Sequence, residues 1–405
     1  MSLVVQKYGG TSLADADRVR AVATRVATAR ERGDQVVVVV SAMGHTTDDL
    51  VALAGGVSDG LHPREMDMLL TAGERIAMAL TAMAIRDRGI EAMSLTGSQA
   101  GILTDAAHGN AKITEIRGDR VRQGLEEGKV VIVAGFQGVD PQSREITTLG
   151  RGGSDATAVA LAASLGAESC EIYTDVDGVL TADPRVVPDA RKLEEVSYDE
   201  MLELAASGAT VLMARSVEVG RRFGIPIHVR SSFHDEPGTW VKEETLEEAI
   251  VRGVSHNDGE AKITVHGVPD SPGVAASLFS RLAKDGIGAD MIVQNVSTDG
   301  ITDISFTIPK ASADAALEAS RGAAAEMDAK GVDLETDIAR VSIVGAGMQS
   351  DPSVAARMFS TLSDNGVNIE MISTSDIRIS CVVKGGRILE AVAALHTEFD
   401  PPAPT

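Results

Sequence analysis

The sequence is poor in cysteine and in aromatic residues. Its 405 residues include only two cysteines, Cys170 and Cys381, which lie far apart and show no metal-binding spacing. This usage is typical of reduced thiols in a reducing compartment. Aromatic residues make up 3% of the chain, so the cores must be filled by Val, Leu, Ile, Ala and Met. Such cores are typical of α/β folds whose parallel strands are covered on both faces, and an all-β fold is not expected.

Basic residues are also scarce, and no long apolar run is present. The formal charge of −22 repels polyanions, so the chain as a whole should bind neither nucleic acid nor an anionic membrane surface. Apolar stretches such as residues 36–40 have the length of a strand, well short of the roughly 20 residues of a membrane-spanning helix. The first residues lead into a strand instead of a signal peptide. We therefore expect a soluble, cytoplasmic protein.

What the sequence does contain is a regular alternation of short apolar segments and helical patterns up to about residue 240. Segments 35–41 and 130–134 have the pattern of buried strands, and segments 15–32 and 64–88 have that of helices. Segments 64–88 and 154–165 are rich in Ala, Met and Leu around most of their circumference, so both should lie against a sheet. A chain of this length should form two or three domains, and the first should be a doubly wound α/β domain.

An internal repeat follows a charged run that begins after residue 240. Residues 271–282 (SPGVAASLFSRL) align with residues 351–362 (DPSVAARMFSTL) at a shift of 80 positions, and the same shift matches Gly286 with Gly366. Each copy has the pattern strand, loop, helix, strand. One copy is too small to bury its own faces, so the two should pack together as a tandem α/β module.

The first candidate site is the loop VVQKYGGTSL at residues 4–13, which joins a strand to a helix beginning near residue 14. Backbone N–H groups at a helix N-terminus favour anions, so Lys7, Gly9 and Gly10 indicate a phosphate cradle. The loop is not a P-loop, because its lysine precedes the glycines. The alternative is a tight turn with a solvated lysine.

A second candidate lies in TLGRGGSDATAVALAA at residues 148–163, where two glycines lead into an Ala-rich helix that Ser154 could cap. The planar guanidinium of Arg151 suits a carboxylate or a phosphate. The alternative is a glycine-rich turn with a surface arginine. Two such loops at strand ends would place two anion sites at one edge of the sheet.

A third candidate is EIYTDVDGVLTADPR at residues 171–185, in which Asp175 and Asp177 follow an apolar strand. Carboxylates at this place suit Mg²⁺ held against phosphates. The same pattern also resembles the nucleophile loop of haloacid-dehalogenase phosphatases. Those enzymes need a lysine and a further acidic pair downstream, and no such pair precedes the repeats.

Taken together, these motifs resemble the aspartate kinases of the actinobacterial type. The resemblance also includes residues 36–50 (VVVVVSAMGHTTDDL), 66–76 (MDMLLTAGERI) and 135–138 (GFQG), and it extends over nearly the whole chain. It implies a three-layer α/β/α amino-acid kinase domain with a mostly parallel sheet, followed by two ferredoxin-like ACT modules. The implied bounds are 1–245 for the kinase domain, 246–338 for the first ACT region and 339–400 for the second. A strand at about 249–255 is expected to join the second module.

The resemblance also implies the reaction, which is ATP-dependent phosphorylation of the side-chain carboxylate of L-aspartate with Mg²⁺ as cofactor. The implied catalytic residues are Lys7, Arg151 and Asp175, with Asp175 also at the metal. The implied aspartate-binding residues are Ser41, Thr47, Glu74, Arg151 and Ser154. The implied nucleotide-binding residues are Lys7, Gly9, Gly10, Thr174, Asp175, Asp183 and Arg185. Glu74 would meet the substrate ammonium and Arg151 its α-carboxylate; from spacing alone, Glu74 could equally be a solvated helix residue.

Amino-acid regulation is implied as well, by threonine or lysine. The implied effector-binding residues in the first module are Asp270, Gly273, Ala275, Asp290 and Gln294. The implied assembly is a homo-oligomer or an association with a second ACT-containing subunit.

Two departures from the family pattern bear on activity and regulation. Thr210 stands where family members usually carry a lysine that faces the phosphates, and losing a transition-state cation typically costs about 3 kcal/mol. Arg215 is a candidate to compensate. In the second module, Ser353 and Ala355 replace a glycine and a hydroxyl residue that are usual in the effector loop, so effector binding at that loop is in doubt.

These departures leave three functional hypotheses. The leading one is a catalytic aspartate kinase with ACT regulation. The second is a catalytically weak regulatory homologue or subunit that binds an amino acid. The third is a related kinase acting on another carboxylate or carbamate, which the GERI motif and the tandem modules disfavour.

Overall fold

The computed structural model describes residues 2–60, 62–243, 250–295 and 300–399. Contacts divide the chain into two units. The first comprises Met1–Leu180, Lys192–Ala205 and Thr210–Leu246, and the second comprises Thr181–Arg191, Ala206–Ala209 and Glu247–Thr405. Two short segments that interrupt the first unit in sequence therefore belong to the second unit.

The first unit is an α/β domain. Its strands are β1 (Leu3–Tyr8), β2 (Gln35–Val40), β3 (Ala92–Leu95), β4 (Ile102–Thr104), β5 (Ile113–Ile116), β6 (Val130–Ala134), β7 (Gln137–Val139), β8 (Ile146–Thr148), β9 (Ser169–Thr174), β10 (Glu195–Ser197), β11 (Ile227–Ser231) and β12 (Thr239–Lys242). Its helices are α1 (Ala16–Glu31), α2 (Thr46–Val57), α3 (Pro63–Arg86), α4 (Asp119–Glu126), α5 (Gly153–Leu165), α6 (Tyr198–Ala206) and α7 (Ala214–Phe223).

The main sheet has eight strands in the order β10-β12-β11-β9-β1-β2-β6-β3. Its pairings are parallel except the one between β11 and β12. Strand β2 reads QVVVVV, and its valines are fully buried because helices cover both faces. Val36, Val38 and Val40 share a core with α1 and α3, while α5 packs against β1, β2 and β9. The predicted layered, mostly parallel α/β domain is confirmed.

Helix α3 is long and apolar enough, by length and composition, to cross a membrane. In this structure it packs against α1, α2 and strands β3, β6 and β8. Its buried positions include both apolar and acidic side chains, among them Ala77, Ile85, Asp67 and Glu74. A second, smaller sheet, β5-β4-β7-β8, lies in the same unit.

The second unit contains two four-stranded sheets whose pairings are antiparallel, with orders β13-β18-β20-β19 and β15-β16-β14-β17. Its strands are β13 (Gly253–Asn257), β14 (Glu260–Pro269), β15 (Ile292–Gln294), β16 (Ile301–Pro309), β17 (Gly331–Glu335), β18 (Ile338–Val344), β19 (Met371–Thr374) and β20 (Arg378–Lys384). Its helices are α8 (Val274–Lys284), α9 (Ala313–Glu326), α10 (Ser353–Asp364) and α11 (Ile388–Phe399). Although β13 precedes β14 in sequence, it pairs with β18 of the second repeat.

The two repeat copies differ at the start of their helices. Gly273 precedes α8 with a φ of +99°, a conformation that favours glycine. Ser353, its counterpart, is instead the first residue of α10. Its amide and its hydroxyl both donate to Oδ1 of Asp351, at 2.9 and 2.6 Å. Ser353 therefore occupies an oxygen of the Asp351 carboxylate with two hydrogen bonds. Helix α10 begins one position earlier in its repeat than α8 does in the first copy.

Candidate active site

A cavity of about 650 Å³ lies where β1, β2 and β6 end. Because these strands are parallel, their carboxyl ends meet at one edge of the sheet, where ligands of open α/β sheets bind. Seven of the predicted residues line this cavity: Lys7, Gly10, Ser41, Thr47, Glu74, Arg151 and Ser154. The structure therefore brings together side chains from four separate segments of the chain.

Lys7 is held by a carboxylate that sequence reasoning missed. Its Nζ lies 2.6 Å from Oδ1 of Asp155, and both side chains are 11% exposed. Strand alternation places Tyr8 in the core with α1 and α3, so Lys7 points to the opposite face, towards α5. The ion pair fixes the ammonium at the cavity edge. The signal was present, because Asp155 directly follows Ser154 in the glycine-rich motif.

Close backbone approaches hold the loops around the cavity. A Cβ on Gly10 would lie 3.0 Å from the carbonyl oxygen of Ala42, and one on Gly135 would lie 2.8 Å from Oγ of Ser154. The loops after β1, β2 and β6 are therefore packed against one another and against α5. Phe136, which also lines the cavity, has a φ of +65°. Such a strained backbone in a non-glycine residue persists only where the surrounding structure enforces it.

Glu74 is buried on α3 and faces the cavity, with 4% of the residue exposed. Its Oε1 accepts a 3.1 Å hydrogen bond from the amide of Ala42, and its Oε2 has no partner among the described residues. Burial raises the pKa of this carboxyl to about 7, although the hydrogen bonds from backbone amides oppose the shift. Gly73 lets α3 approach Ala42, since a Cβ there would lie 2.7 Å from the Ala42 Cβ. The interpretation of Glu74 as a solvated helix residue is wrong.

Arg151 is exposed at the cavity, in the turn before α5. The N-cap of α5 is Gly152, with a φ of +68°, and the helix begins at Gly153. The idea that Ser154 caps this helix is therefore wrong, and Ser154 instead packs against Gly135. The side chain of Met213 lies where a Cβ on Gly152 would fall, so glycine is required here by space as well as by φ.

The first loop also differs from its prediction. A single turn of 3₁₀ helix at Thr11–Leu13 follows Gly10, and α1 begins only at Ala16. The side chain of Asp15 accepts from the amide of Arg18 and caps α1. Helix α1 therefore does not present a free N-terminus directly after the glycines.

The predicted nucleotide-binding residues fall in two places. Thr174 ends β9 and Asp175 follows it. Both lie next to Gly9, whose amide donates to the carbonyl of Tyr173 at 3.2 Å. Asp183 and Arg185 lie in the segment Thr181–Arg191, which belongs to the second unit. The two are joined by charge-assisted hydrogen bonds, the shortest of 2.7 Å. Neither residue is among those that line the cavity.

No cluster of three or more His, Cys, Asp or Glu side chains suited to a metal occurs within the described ranges. Mg²⁺ needs no such cluster, because it is commonly held by one or two carboxylates and the substrate phosphates. Asp175 fits this pattern. Its carboxylate is exposed beside the Gly9 loop and accepts a 3.1 Å hydrogen bond from Thr174.

The position of the missing lysine is solvent-exposed, since Thr210 has an exposed side chain. Arg215, the candidate to compensate, is held by two backbone carbonyls. Its guanidinium donates to the carbonyl oxygens of Leu149 and Ala111, at 2.9 and 2.7 Å. Arg215 is not among the residues that line the cavity, and its compensating role stays a prediction.

The predicted effector residues of the first module are spread around α8 and β15. Asp270 and Gly273 lie in the loop before α8, and Ala275 is partly buried against the module core. Gln294 ends the edge strand β15 and is exposed. Asp290 pairs with Arg340 of the second repeat, whose guanidinium also contacts Glu260 at 2.7 Å.

Comparison with known proteins agrees with this architecture. A model of the amino acid kinase family matches residues 2–231, and a model of the ACT domain matches residues 263–321 and 341–399. The fold and the site thus define an amino acid kinase that carries two ACT modules.

Individual proteins that are similar over the full chain identify the family within the amino acid kinases. The aspartokinase of Mycolicibacterium smegmatis is 54% identical over 98% of this chain and 96% of its own length. A crystal structure of E. coli aspartokinase III with aspartate and ADP in the R-state is 26% identical, covers 98% of this chain and 99% of its own, and has a TM-score of 0.84. The same enzyme with lysine and aspartate in the T-state is 27% identical at the same coverage, with a TM-score of 0.76. The chain belongs to the aspartokinases of the amino acid kinase family.

Proposed function

We propose that this protein is an aspartate kinase that transfers the terminal phosphoryl group of ATP to the side-chain carboxylate of L-aspartate, giving 4-phospho-L-aspartate. The observation that carries the proposal is the Oε2 of buried Glu74, which has no hydrogen-bond partner in the described part of the chain. It lies at a cavity that Arg151 and Lys7 also line. A carboxylate suits an ammonium group, and a guanidinium suits a carboxylate. These two charges match the two ends of an α-amino acid.

The chemistry of the acceptor fits the side chains present. A side-chain carboxylate is already ionised near pH 7, so its attack on phosphorus needs no general base. Catalysis then depends on positioning and on neutralising charge on the phosphates. Lys7 supplies a fixed positive charge, because Asp155 holds its ammonium in place.

ATP is the phosphoryl donor, and the ADP bound by the E. coli relative supports this assignment. Gly9, Gly10, Thr174 and Asp175 are the residues we assign to the nucleotide, since they lie side by side at the ends of β1 and β9. Asp175 would hold Mg²⁺, which neutralises phosphate charge when it is bound. We keep Asp183 and Arg185 as nucleotide contacts only as a prediction.

A catalytically weak regulatory homologue is the second candidate, and a specific observation favours it. Thr210 removes a cation, and Arg215 is engaged by two backbone carbonyls. This candidate predicts amino-acid binding by the ACT modules with little or no phosphoryl transfer.

A coupled ADP-release assay with L-aspartate, L-glutamate and N-acetylglutamate tests both candidates. Of the three acceptors, we expect only aspartate to give ADP release. Trapping the product with hydroxylamine should yield aspartyl hydroxamate in an amount equal to the ADP released. ADP without hydroxamate would indicate ATP hydrolysis instead of carboxyl phosphorylation. If aspartate gives no ADP while calorimetry detects threonine or lysine binding, the regulatory candidate replaces the enzyme.

Regulation, assembly and location complete the proposal. The lysine-bound state of the E. coli relative supports an amino-acid effector, either threonine or lysine, bound near Asp270 and Gly273. We assign a homo-oligomer or a complex with a second ACT-containing subunit. A cytoplasmic location is supported by two cysteines that are buried and unpaired.

A further inference from the structure

Asp67 is a buried carboxylate that the proposed reaction does not use directly. The residue is 1% exposed. Nδ1 of His108 lies 2.6 Å from its Oδ2, the amide of Gly109 donates to Oδ1 at 3.1 Å, and the hydroxyl of Thr148 donates to Oδ1 at 2.5 Å. One carboxylate on α3 therefore joins the loop at residues 108–110 to the end of β8.

Asp67 and Glu74 lie on the same side of α3, because seven residues correspond to about two helical turns. Both line the cavity, and so do Gly109 and Thr148. The helix that presents Glu74 to the cavity thus also binds Gly109 and Thr148, which line the same cavity.

What Asp67 anchors is the backbone leading to Arg151. Thr148 ends β8, and its carbonyl accepts from the amide of Ala111 at 2.9 Å. Gly150, directly before Arg151, has a φ of +73°, and a Cβ there would lie 3.2 Å from the carbonyl oxygen of Gly109. The loop at residues 108–110 therefore packs closely against the turn that carries Arg151.

We propose that Asp67 is a positioning residue for the amino-acid substrate, acting through Thr148 and Gly109 to hold Arg151 where it meets the substrate α-carboxylate. This inference rests on the proposed function, because it assumes that Arg151 binds that carboxylate. The burial of Asp67 strengthens its hydrogen bonds to His108, Gly109 and Thr148, since a hydrogen bond to a charged group away from water is stronger than one between neutral groups.

The kinetic test uses Asp67→Asn, which keeps the shape and removes the charge, with Asp87→Asn as the matched control on the exposed end of the same helix. We expect Asp67→Asn to raise the KM for aspartate about tenfold, with the KM for ATP changed less than about twofold. Thr148→Val, which removes only the hydroxyl donor, should raise the KM for aspartate by a smaller factor. A purely structural role would instead lower kcat and leave both KM values unchanged.

A double-mutant cycle with Arg151→Ala decides whether Asp67 acts through Arg151. If it does, Asp67→Asn should change the KM for aspartate little in the Arg151→Ala background. Multiplicative effects, or an unchanged KM in folded Asp67→Asn, would overturn the proposal.

Hydrogen exchange gives a readout that does not depend on turnover. In Asp67→Asn, amides of residues 108–111 and 148–151 should exchange faster than in Asp87→Asn, and equal exchange would contradict the anchoring role. If the unaltered protein does not phosphorylate aspartate, the proposed function fails and hydrogen exchange still decides the role of Asp67. If Asp67→Asn does not fold, Thr148→Val carries the same comparison.

Discussion

The ionisation of Glu74 predicts how the use of aspartate depends on pH. Burial raises the pKa of its carboxyl to about 7, and only the ionised form attracts the substrate ammonium. The ammonium and both carboxylates of aspartate keep their charges between pH 5.5 and 8.5, so in this window the substrate itself does not titrate. The free enzyme should therefore lose affinity for aspartate as pH falls through 7.

The size of the effect follows from the titration. With a pKa of about 7, roughly nine tenths of Glu74 is ionised at pH 8 and roughly one tenth at pH 6, so kcat/KM for aspartate should fall about tenfold between them. Saturating aspartate should weaken this dependence, because a bound ammonium favours the ionised form. Glu74→Gln should lower kcat/KM for aspartate by a factor of about 10 to 100 at pH 8, as expected for one lost charge-assisted bond.

The assay is initial-rate ADP release at saturating Mg-ATP across this pH range, with kcat/KM for ATP measured in parallel at saturating aspartate. The dependence should disappear in Glu74→Gln and should be absent from the ATP parameter. A flat profile for aspartate in the unaltered enzyme, or a Glu74→Gln variant whose defect lies in the KM for ATP, would refute the assignment of Glu74.

The same shift has a consequence for stability. The folded-state pKa lies above the unfolded value of 4.5, so the native state binds the proton more tightly. The contribution of Glu74 protonation to the stability of the folded state is complete below pH 4.5 and is lost as pH rises through 7. At pH 8 Glu74→Gln should therefore be more stable than the unaltered protein by up to about 3 kcal/mol, measured as the free energy of unfolding in urea. A less stable variant at pH 8 would contradict the raised pKa.

Three further predictions concern the phosphate side and regulation. Lys7→Met should lower kcat at least about a hundredfold with a modest effect on the KM for aspartate. The double variant Lys7→Met with Asp155→Asn should recover the free energy of unfolding, since it leaves no unpaired buried charge, but it should not recover kcat. An unchanged kcat in either variant would remove Lys7 from the mechanism. Thr210→Lys should raise kcat if the position faces the phosphates, and a fall would show that the geometry has adapted to threonine. Inhibition by lysine should be weak or absent, because Ser353 engages the loop carboxylate and loss of about 2 kcal/mol of coupling would erase most of a typical allosteric effect. Titration with lysine, threonine and both should show this, Ser353→Gly should strengthen inhibition, and strong concerted inhibition of the unaltered enzyme at sub-millimolar concentrations would contradict it.

The order of strands and helices, the tandem repeat and most of the cavity wall follow from local patterns. Strand β2 is a run of valines, and the Ala-rich pattern at 154–165 marks α5. Lys7, Arg151 and Glu74 each lie in a recognisable motif. A local pattern indicates the secondary structure of a segment, because secondary structure depends mainly on residues that are close in sequence.

Errors arose where local patterns compete. The helix expected near residue 14 begins only at Ala16, because a 3₁₀ turn precedes α1 and Asp15 caps it. Ser154 was expected to cap α5, but Gly152 adopts the left-handed conformation and lets the helix begin sooner. Element boundaries depend on single backbone angles, which sequence patterns resolve poorly.

The sequence by itself determined the family, the α/β class with its ACT repeats, and the chemistry of the motif residues. Only the tertiary structure decided which groups these residues meet: Asp155 for Lys7, the carbonyls of Leu149 and Ala111 for Arg215, and the loop at 108–110 for Asp67. It also decided that Glu74 is buried with one oxygen that finds no partner among the described residues, and that Thr181–Arg191 joins the second unit. The reason is physical. Burial and pairing are set by segments far apart in the chain that the fold brings within a few ångströms, and their free energies depend on the local loss of water, which no single segment specifies.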